Sequence, residues 1–205
     1  SFIGRCRKLS LSYEDLVEKC RDYLTDTEVE QQFLDFACKF YHDYLDALAE
    51  TGNDDFDGLI QKAVSEIRLG KTIFDSKAQS GDLSSIKYIS IDEYQDFSLL
   101  FNNLIQSIIA KTDNVNLFCV GDDWQAINGF AGSDLIFFKN IKDYVESPRT
   151  LYIPTNYRSP EGIVSIGNTL MKGLGNPAIS NQKEECDVKL VDLNLFPPTR
   201  IEHER

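Results

Sequence analysis

In IKYISIDEYQD, residues 86–96, a short β-prone run ends at Ile91 and leads directly into an acidic cluster. The stretch VNLFCVGDDWQ, residues 115–125, repeats this arrangement with a nearly all-apolar run. Between them, apolar residues at spacings of three and four predict a helix from Leu99 to Ile109. Strands alternating with helices indicate an α/β fold with a parallel sheet, whose apolar strands should be covered on both faces.

The sequence before this sheet is helical in pattern. Thr27 and Glu30 form a capping box at the start of a helix that Gly52 ends. A second amphipathic run extends from Phe56 to Gly70. The polar stretch over residues 71–85 is predicted to be a loop.

The sequence after the sheet predicts a further strand, helix and strand. The third strand is expected near residues 151–153, followed by a helix that Ser159 caps and Pro160 opens. A last strand is expected at Val188–Val191. A strand there without a neighbour would leave an open sheet edge, so we expect self-association of the chain through it.

These patterns divide the chain into three expected parts. Residues 1–85 form a helical accessory subdomain, and residues 86–150 form the second half of a first α/β domain. Residues 151–205 begin a second α/β domain. We also expect the chain, which starts at Ser1 and ends on polar residues after a Pro-Pro pair, to be a fragment of a longer protein.

The composition excludes several classes of protein. The chain has 205 residues, 42% of them hydrophobic, and a formal net charge of −12, with a pI near 4.6. No run approaches the roughly 18 apolar residues of a membrane span. Nucleic acid would have to meet a local site, because neutralising phosphates needs clustered Lys and Arg. The five cysteines are odd in number and widely spaced, which favours reduced thiols in a cytoplasmic protein over a Cys/His metal site.

The first acidic cluster occupies residues 92–96, at the carboxyl end of a predicted strand, where open α/β sheets gather their ligands. Asp92 could hold Mg²⁺, which takes hard oxygen ligands and completes its shell with waters and phosphates. Glu93 could orient or deprotonate an attacking water. The alternative is a solvated acidic turn, and this short motif alone does not decide between them.

Two further clusters carry possible phosphate chemistry. After the second strand, Gln125 could donate to a γ-phosphate oxygen and accept from a water, although the segment could also be an ordinary Asp- and Gly-rich turn. Further on, Arg158 offers a guanidinium fork that suits a transferring phosphate, and Tyr157 offers a ring face to a base. The alternative for Arg158 is an ion pair with a neighbouring carboxylate.

In this order, the three clusters resemble motifs II, III and IV of the superfamily 1 DNA helicases of the UvrD/Rep type. They read IDEYQDFS at 91–98, VGDDWQAINGFAGSD at 120–134 and TNYRSPEGI at 155–163. GDDWQ is most similar to the helicase IV branch, and DDFDGLIQKAV at 54–64 resembles the segment that precedes motif II. The resemblance covers about residues 54–170 and implies a partial RecA-like P-loop NTPase domain, preceded by a helical accessory subdomain.

The resemblance also implies roles for individual residues, with ATP and Mg²⁺ as cofactors. Asp92 would be the Mg²⁺ carboxylate and Glu93 the catalytic base. Gln125 would contact the γ-phosphate, Tyr157 would stack on the adenine, and Arg158 would be an arginine finger.

By the same resemblance, Phe130 stands where the family has the Trp that stacks on single-stranded DNA. The alternative for Phe130 is an aromatic plug in the core. Two positions depart from the family: Asn128 replaces a Tyr, and Ala131 replaces an Arg that would contact DNA.

A phosphate-cradling loop is not found in the sequence. Gly70-Lys71-Thr72 resembles the tail of G-x-x-x-x-G-K-T, but the first Gly is replaced by Ser65 and the segment follows a helix, so we interpret it as a helix end.

The resemblance therefore implies a central fragment of an ATP-dependent 3′-to-5′ helicase acting on single-stranded and duplex DNA. The fragment should be inactive alone, because the phosphate loop and motifs V and VI would lie outside it. Two alternatives stay open: a non-catalytic scaffold for protein binding, and the ATPase part of a helicase-nuclease.

Overall fold

The structure is a computed structural model that describes residues 2–75 and 80–182, together with Glu184, Cys186 and Lys189. The chain divides into two compact units, Ser1–Pro148 and Arg149–Arg205. The part of the chain that the structure describes contains no helix long and apolar enough to cross a membrane.

Four helices begin the first unit. They are α1 (Phe2–Lys8), α2 (Tyr13–Asp22), α3 (Glu28–Thr51) and α4 (Phe56–Arg68). The predicted capping box of α3 is confirmed, because the Glu30 N–H donates to Thr27 Oγ1 at 3.2 Å and the Thr27 N–H donates to Glu30 Oε2 at 3.2 Å. Gly52, with a φ of 64°, ends the helix as predicted.

The interpretation of Gly70-Lys71-Thr72 as a helix end is also confirmed. Gly70 has a φ of 93°. Its N–H donates to the Ile67 carbonyl at 2.9 Å, and the N–H of Lys71 donates to the Glu66 carbonyl at 3.0 Å. These two bonds form a Schellman motif, which satisfies the last carbonyls of α4.

A short hairpin, β1 (Ile73–Asp75) paired antiparallel with β2 (Ser80–Asp82), follows α4. The prediction of a simple loop over residues 71–85 was therefore wrong in part. Strands of three residues are too short to show an alternating pattern in the sequence. The Phe74 ring lies over Gly81, where a larger side chain would meet the ring.

The sheet of the first unit consists of β3 (Tyr88–Ile91) and β4 (Asn116–Cys119), joined by helix α5 (Leu99–Ile109). The two strands are parallel, as predicted, with Tyr88 opposite Asn116 and Ile91 opposite Cys119. Among the residues that the structure describes, the expected cover on both faces is not present, since Tyr88 is 80% exposed and Phe118 is 64% exposed. Of the two sheet faces, only the one that carries Ile91 and Cys119 packs against a buried cluster of the described residues, the cluster around Tyr94.

Two apolar clusters form the core of the first unit. One contains Cys6, Leu16 and Tyr41, and packs the α1, α2 and α3 helices together. The other contains Tyr94, Phe97 and Phe137, the last from the one-turn helix α6 (Ile136–Lys139). Ile91 and Cys119, the last residues of β3 and β4, pack against this second cluster. The core therefore holds the ends of both strands, where the acidic segments begin.

A buried ion pair connects the helices. Arg7 of α1 is 8% exposed, and its Nε and Nη2 donate to the carboxylate of Asp55 at 2.9 and 2.8 Å. Asp55 also accepts from the Tyr44 hydroxyl at 2.6 Å and from the Gly58 N–H at 2.5 Å, so it is the N-cap of α4. This carboxylate ties α1, α3 and α4 together at one point.

The second unit contains β5 (Thr155–Pro160), α7 (Glu161–Leu170) and β6 (Ile179–Gln182). The strands are parallel, with Thr155 opposite Ile179. The third strand was predicted too early: residues 151–153 are exposed and outside any strand. The strand begins only at Thr155, where its partner β6 begins to pair, and the sequence signal for β6 was missed.

Helix α7 begins one residue later than predicted. Ser159 lies within β5 and does not cap the helix. Pro160 is the N-cap and makes no side-chain capping bond, so the helix begins at Glu161. The Asn156 side chain explains the difference, because its Oδ1 accepts the Ser159 N–H at 2.8 Å and keeps that residue in the strand. The strand predicted at Val188–Val191 lies outside the described residues, and self-association through it stays a prediction.

Candidate active site

The candidate site lies where β3 and β4 end. Because neighbouring parallel strands end at the same sheet edge, the segments after Ile91 and Cys119 lie side by side. The Tyr94 N–H donates to the Val120 carbonyl at 2.8 Å, and the Val120 N–H donates to the Ile91 carbonyl at 2.9 Å. The backbone itself therefore joins the two acidic segments that the sequence singled out.

Asp92 and Glu93 form the exposed part of the first segment. Glu93 has a φ of 52°, in the left-handed region that non-glycine residues seldom occupy. Its N–H donates to Asp92 Oδ1 at 2.9 Å, which supports this turn. Backbone strain of this kind costs about 1–3 kcal/mol and is concentrated at functional sites. The turn leaves both carboxylates accessible to solvent.

Gln95 lies beneath this turn and was not singled out by the sequence analysis. It is 3% exposed. Its Nε2 donates to Glu93 Oε2 at 2.6 Å, and its Oε1 accepts the Asp122 N–H at 3.0 Å. One buried amide thus bonds to both acidic segments. The sequence gives no local signal for this role, since Gln95 and Asp122 are 27 positions apart.

The second segment forms a 3₁₀ turn over Asp123–Gln125. Asp122 organises this turn: its Oδ1 accepts the Trp124 N–H at 3.1 Å, and its Oδ2 accepts from Gln125 Nε2 at 2.8 Å. Gln125 is exposed and Trp124 is half-buried. The predicted phosphate-contacting amide therefore lies on the same edge as the carboxylates, with one of its N–H groups held by Asp122.

A second side-chain bond joins the segments further along. Asn128 Nδ2 donates to Asp96 Oδ2 at 2.8 Å, while Asp96 Oδ1 is buried and has no hydrogen-bond partner in the described part of the chain. Asn128 begins a 3₁₀ turn that ends at Ala131. The backbone of Phe130 lies in this turn, whereas its side chain is outside the described part of the structure, so its contact with DNA stays a prediction.

Tyr157 and Arg158 belong to the second unit and lie within β5, not beyond the end of a strand as expected. Both side chains are exposed. The Arg158 N–H donates to Asn156 Oδ1 at 2.9 Å. Arg158 makes no ion pair with a carboxylate among the residues that the structure describes, so its guanidinium is open to a ligand.

Burial raises the pKa of two other titratable groups beneath the site. It raises the pKa of the Tyr94 hydroxyl to about 12 and the pKa of the Cys119 thiol to about 11. Both groups stay protonated near neutral pH.

The donor set at this edge fits Mg²⁺ better than a soft metal. Asp92 is exposed and uses one oxygen to accept the Glu93 N–H. No group of three or more metal-binding side chains occurs in the described residues. A single carboxylate suits an ion that keeps several waters and takes its remaining ligands from nucleotide phosphates.

Comparison with known proteins identifies one family. The model of the UvrD/REP helicase N-terminal domain matches residues 4–146. The ATP-dependent DNA helicase Rep of Buchnera aphidicola is 30% identical over 145 residues, which are 70% of this chain and 21% of the relative. DNA helicase IV of Escherichia coli is 29% identical over 118 residues, covering 58% of this chain and 16% of the relative.

A third relative is the ATP-dependent DNA helicase PcrA of Staphylococcus aureus. It is 30% identical over 136 residues, which are 64% of this chain and 17% of the relative. The chain spans between 16% and 21% of the length of these three curated relatives.

Proposed function

Because the chain belongs to the UvrD/REP helicase family, we propose that it carries motifs II to IV of an ATP-dependent DNA helicase. In this proposal the protein that contains the chain hydrolyses ATP and moves 3′-to-5′ along single-stranded DNA, unwinding duplex DNA. The first unit is then part of a RecA-like domain, and the second unit begins another. The names of the Rep and PcrA relatives support ATP and DNA as ligands.

The observation that carries the proposal is the shared edge of β3 and β4. Asp92, Glu93 and Gln125 are all exposed there, on two segments joined by the bond from Tyr94 N–H to the Val120 carbonyl. Phosphoryl transfer needs three groups close together: a metal ligand, a carboxylate that activates water and an amide that contacts a phosphate. A solvated acidic turn would not require the buried bonds that organise this edge.

The roles of the residues follow from their chemistry. Asp92 would hold Mg²⁺, which when bound would neutralise charge on the phosphates. Glu93 orients the attacking water and accepts its proton. Gln125 donates to the γ-phosphate through the N–H that Asp122 does not use. As the family resemblance implies, Arg158 would donate to a transferring phosphate and Tyr157 would stack on the adenine.

Phe130 is proposed to stack on a base of single-stranded DNA, a contact typically worth about 1–3 kcal/mol. Its turn begins at Asn128, which donates to Asp96 next to the catalytic segment. This bond offers a physical connection between the nucleotide edge and the DNA-contacting turn.

The test is steady-state ATPase activity of the full-length protein with and without single-stranded DNA. Glu93→Gln should lower kcat by at least about 100-fold, because the water loses its base. Glu146→Gln, at an exposed position of the same unit, is the matched control and should behave like the wild type. A Glu93→Gln protein that turns over normally would remove the base assignment and favour the scaffold alternative. The 205-residue chain alone should show no DNA-stimulated ATPase.

A further inference from the structure

We propose that Gln95 is a positioning residue that holds Glu93 and Gln125 in one arrangement. This inference rests on the proposed function, in which Glu93 activates water and Gln125 contacts the γ-phosphate. Gln95 does not touch the nucleotide in this proposal. It acts through the two segments that do, by bonding to Glu93 with one end of its amide and to the Asp122 backbone with the other.

Both ends of the Gln95 side-chain amide make hydrogen bonds. A side-chain amide has a carbonyl that accepts and an NH₂ that donates. In Gln95 the NH₂ donates to Glu93 Oε2 at 2.6 Å and the carbonyl accepts the Asp122 N–H at 3.0 Å. The bond to Glu93 has an ionised acceptor and is of the stronger kind. A residue that only fills core space would not need a donor and an acceptor aimed at two different segments.

A short chain of hydrogen bonds connects Gln95 to Gln125. Asp122, whose N–H is bonded to Gln95, accepts the side chain of Gln125 at 2.8 Å and the Trp124 N–H at 3.1 Å. The path from Glu93 to Gln125 therefore contains only Gln95 and Asp122. Movement of Asp122 away from Gln95 would carry the Gln125 amide with it.

Gln95 is closely packed against the second acidic segment. Gln95 is 3% exposed. A Cβ at Gly121 would lie 2.6 Å from Gln95 Oε1 and 3.0 Å from the Tyr94 nitrogen. Glycine at this position lets the backbone of the second segment approach the amide. A side chain larger than hydrogen at Gly121 would therefore displace the Gln95 amide.

Two substitutions distinguish the contribution of the bond to Glu93 from that of the bond to Asp122. Gln95→Glu keeps an oxygen that can accept the Asp122 N–H, but it loses the donor to Glu93 and places a carboxylate against a carboxylate. Gln95→Met keeps the length of the side chain and loses both bonds. Gln106→Met is the matched control, because Gln106 also donates to a single partner, the Tyr144 carbonyl at 3.1 Å, away from the site.

The first measurement uses the 205-residue chain and needs no nucleotide. Hydrogen exchange of the Asp122 amide, followed by NMR, should accelerate about tenfold or more in Gln95→Met, as expected for the loss of a hydrogen bond. It should change little in Gln95→Glu and in Gln106→Met. The emission of Trp124 should shift in Gln95→Met only. Unchanged exchange and emission in Gln95→Met would overturn the proposal.

The second measurement uses the full-length protein and compares kcat with KM for ATP. Both Gln95→Met and Gln95→Glu should lower kcat by about 10- to 100-fold, the usual cost of removing an outer-shell partner, with KM changed by less than about twofold. A general loss of folding would change both constants, and equal loss in Gln106→Met would overturn the proposal. A wild-type protein without ATPase activity would refute the proposed function, while the exchange measurement would still decide the positioning by Gln95.

Discussion

Replacing Asp55 by Ala tests whether the buried ion pair holds the helical part of the first unit together. The Arg7 guanidinium is 8% exposed and donates to Asp55 through Nε at 2.9 Å and Nη2 at 2.8 Å. Removing one partner of a buried pair typically costs 3–5 kcal/mol, because the remaining charge stays buried without compensation. Loss of the α4 cap adds about 1 kcal/mol, though the two effects overlap. We expect the free energy of unfolding to fall by about 4 kcal/mol.

The assay is urea unfolding followed by the fluorescence of Trp124, the single tryptophan of the chain, which lies in the first unit. Asp54→Ala is the matched control. Asp54 pairs with the exposed Lys62 at 2.7 Å, and exposed pairs contribute about 0–1 kcal/mol. Arg7→Met combined with Asp55→Ala should be less costly than Asp55→Ala alone, since no charge is left buried. A loss below about 1 kcal/mol for Asp55→Ala, or a double variant as unstable as the sum of the singles, would refute this reasoning.

Three further expectations concern pH, thiol chemistry and backbone packing. Burial opposes ionisation of Asp55, but hydrogen bonds from Arg7 and Tyr44 outweigh it and lower the pKa of this carboxyl below 3.8. Below pH 3.8 the unfolded chain therefore binds more protons than the folded chain, so the urea midpoint should fall there. An equal fall of the midpoint in Asp55→Ala would contradict this cause. Burial raises the pKa of the Cys119 thiol from 9.0 to about 11. Iodoacetamide at pH 8 should therefore label Cys119 about 100-fold more slowly in the native chain than in the urea-unfolded chain. Equal labelling rates, measured by mass spectrometry, would be inconsistent with burial of this thiol. Gly121→Ala should accelerate exchange of the Asp122 amide, because the added Cβ would lie 2.6 Å from Gln95 Oε1, whereas Gly129→Ala, with nothing within 4 Å, should not.

Much of the candidate site could be predicted because its location depends on a local rule. Each acidic cluster follows directly after a β-prone run, and parallel strands end at the same sheet edge. The structure confirms the parallel pairing of β3 with β4 and brings the segments of Asp92 and Gln125 side by side. The exposure of one face of this sheet could not be predicted. An apolar run shows that a strand is suited to burial, but not which face of the strand other parts of the chain will cover.

The second unit shows the limit of reading strands from apolar runs. Residues 151–153 have the right composition for a strand, yet they are exposed and unpaired in the described structure. The strand forms instead over Thr155–Pro160, a polar segment whose partner is Ile179–Gln182. Pairing, and not composition, selected the strand, and the Asn156 side chain then decided that Ser159 does not cap the helix.

The start and end of α3, the end of α4 and the order β3, α5, β4 could be predicted from the sequence alone, whereas the hairpin of β1 with β2 could not. Capping boxes, Schellman motifs and apolar periodicity join residues within a few positions of each other, so they are legible along the chain. The bonds of Gln95 to two segments and the pairing of Arg7 with Asp55 became visible only in the folded structure. Those partners are 27 and 48 positions apart, and their contacts exist only after packing has brought distant segments together and excluded water from between them.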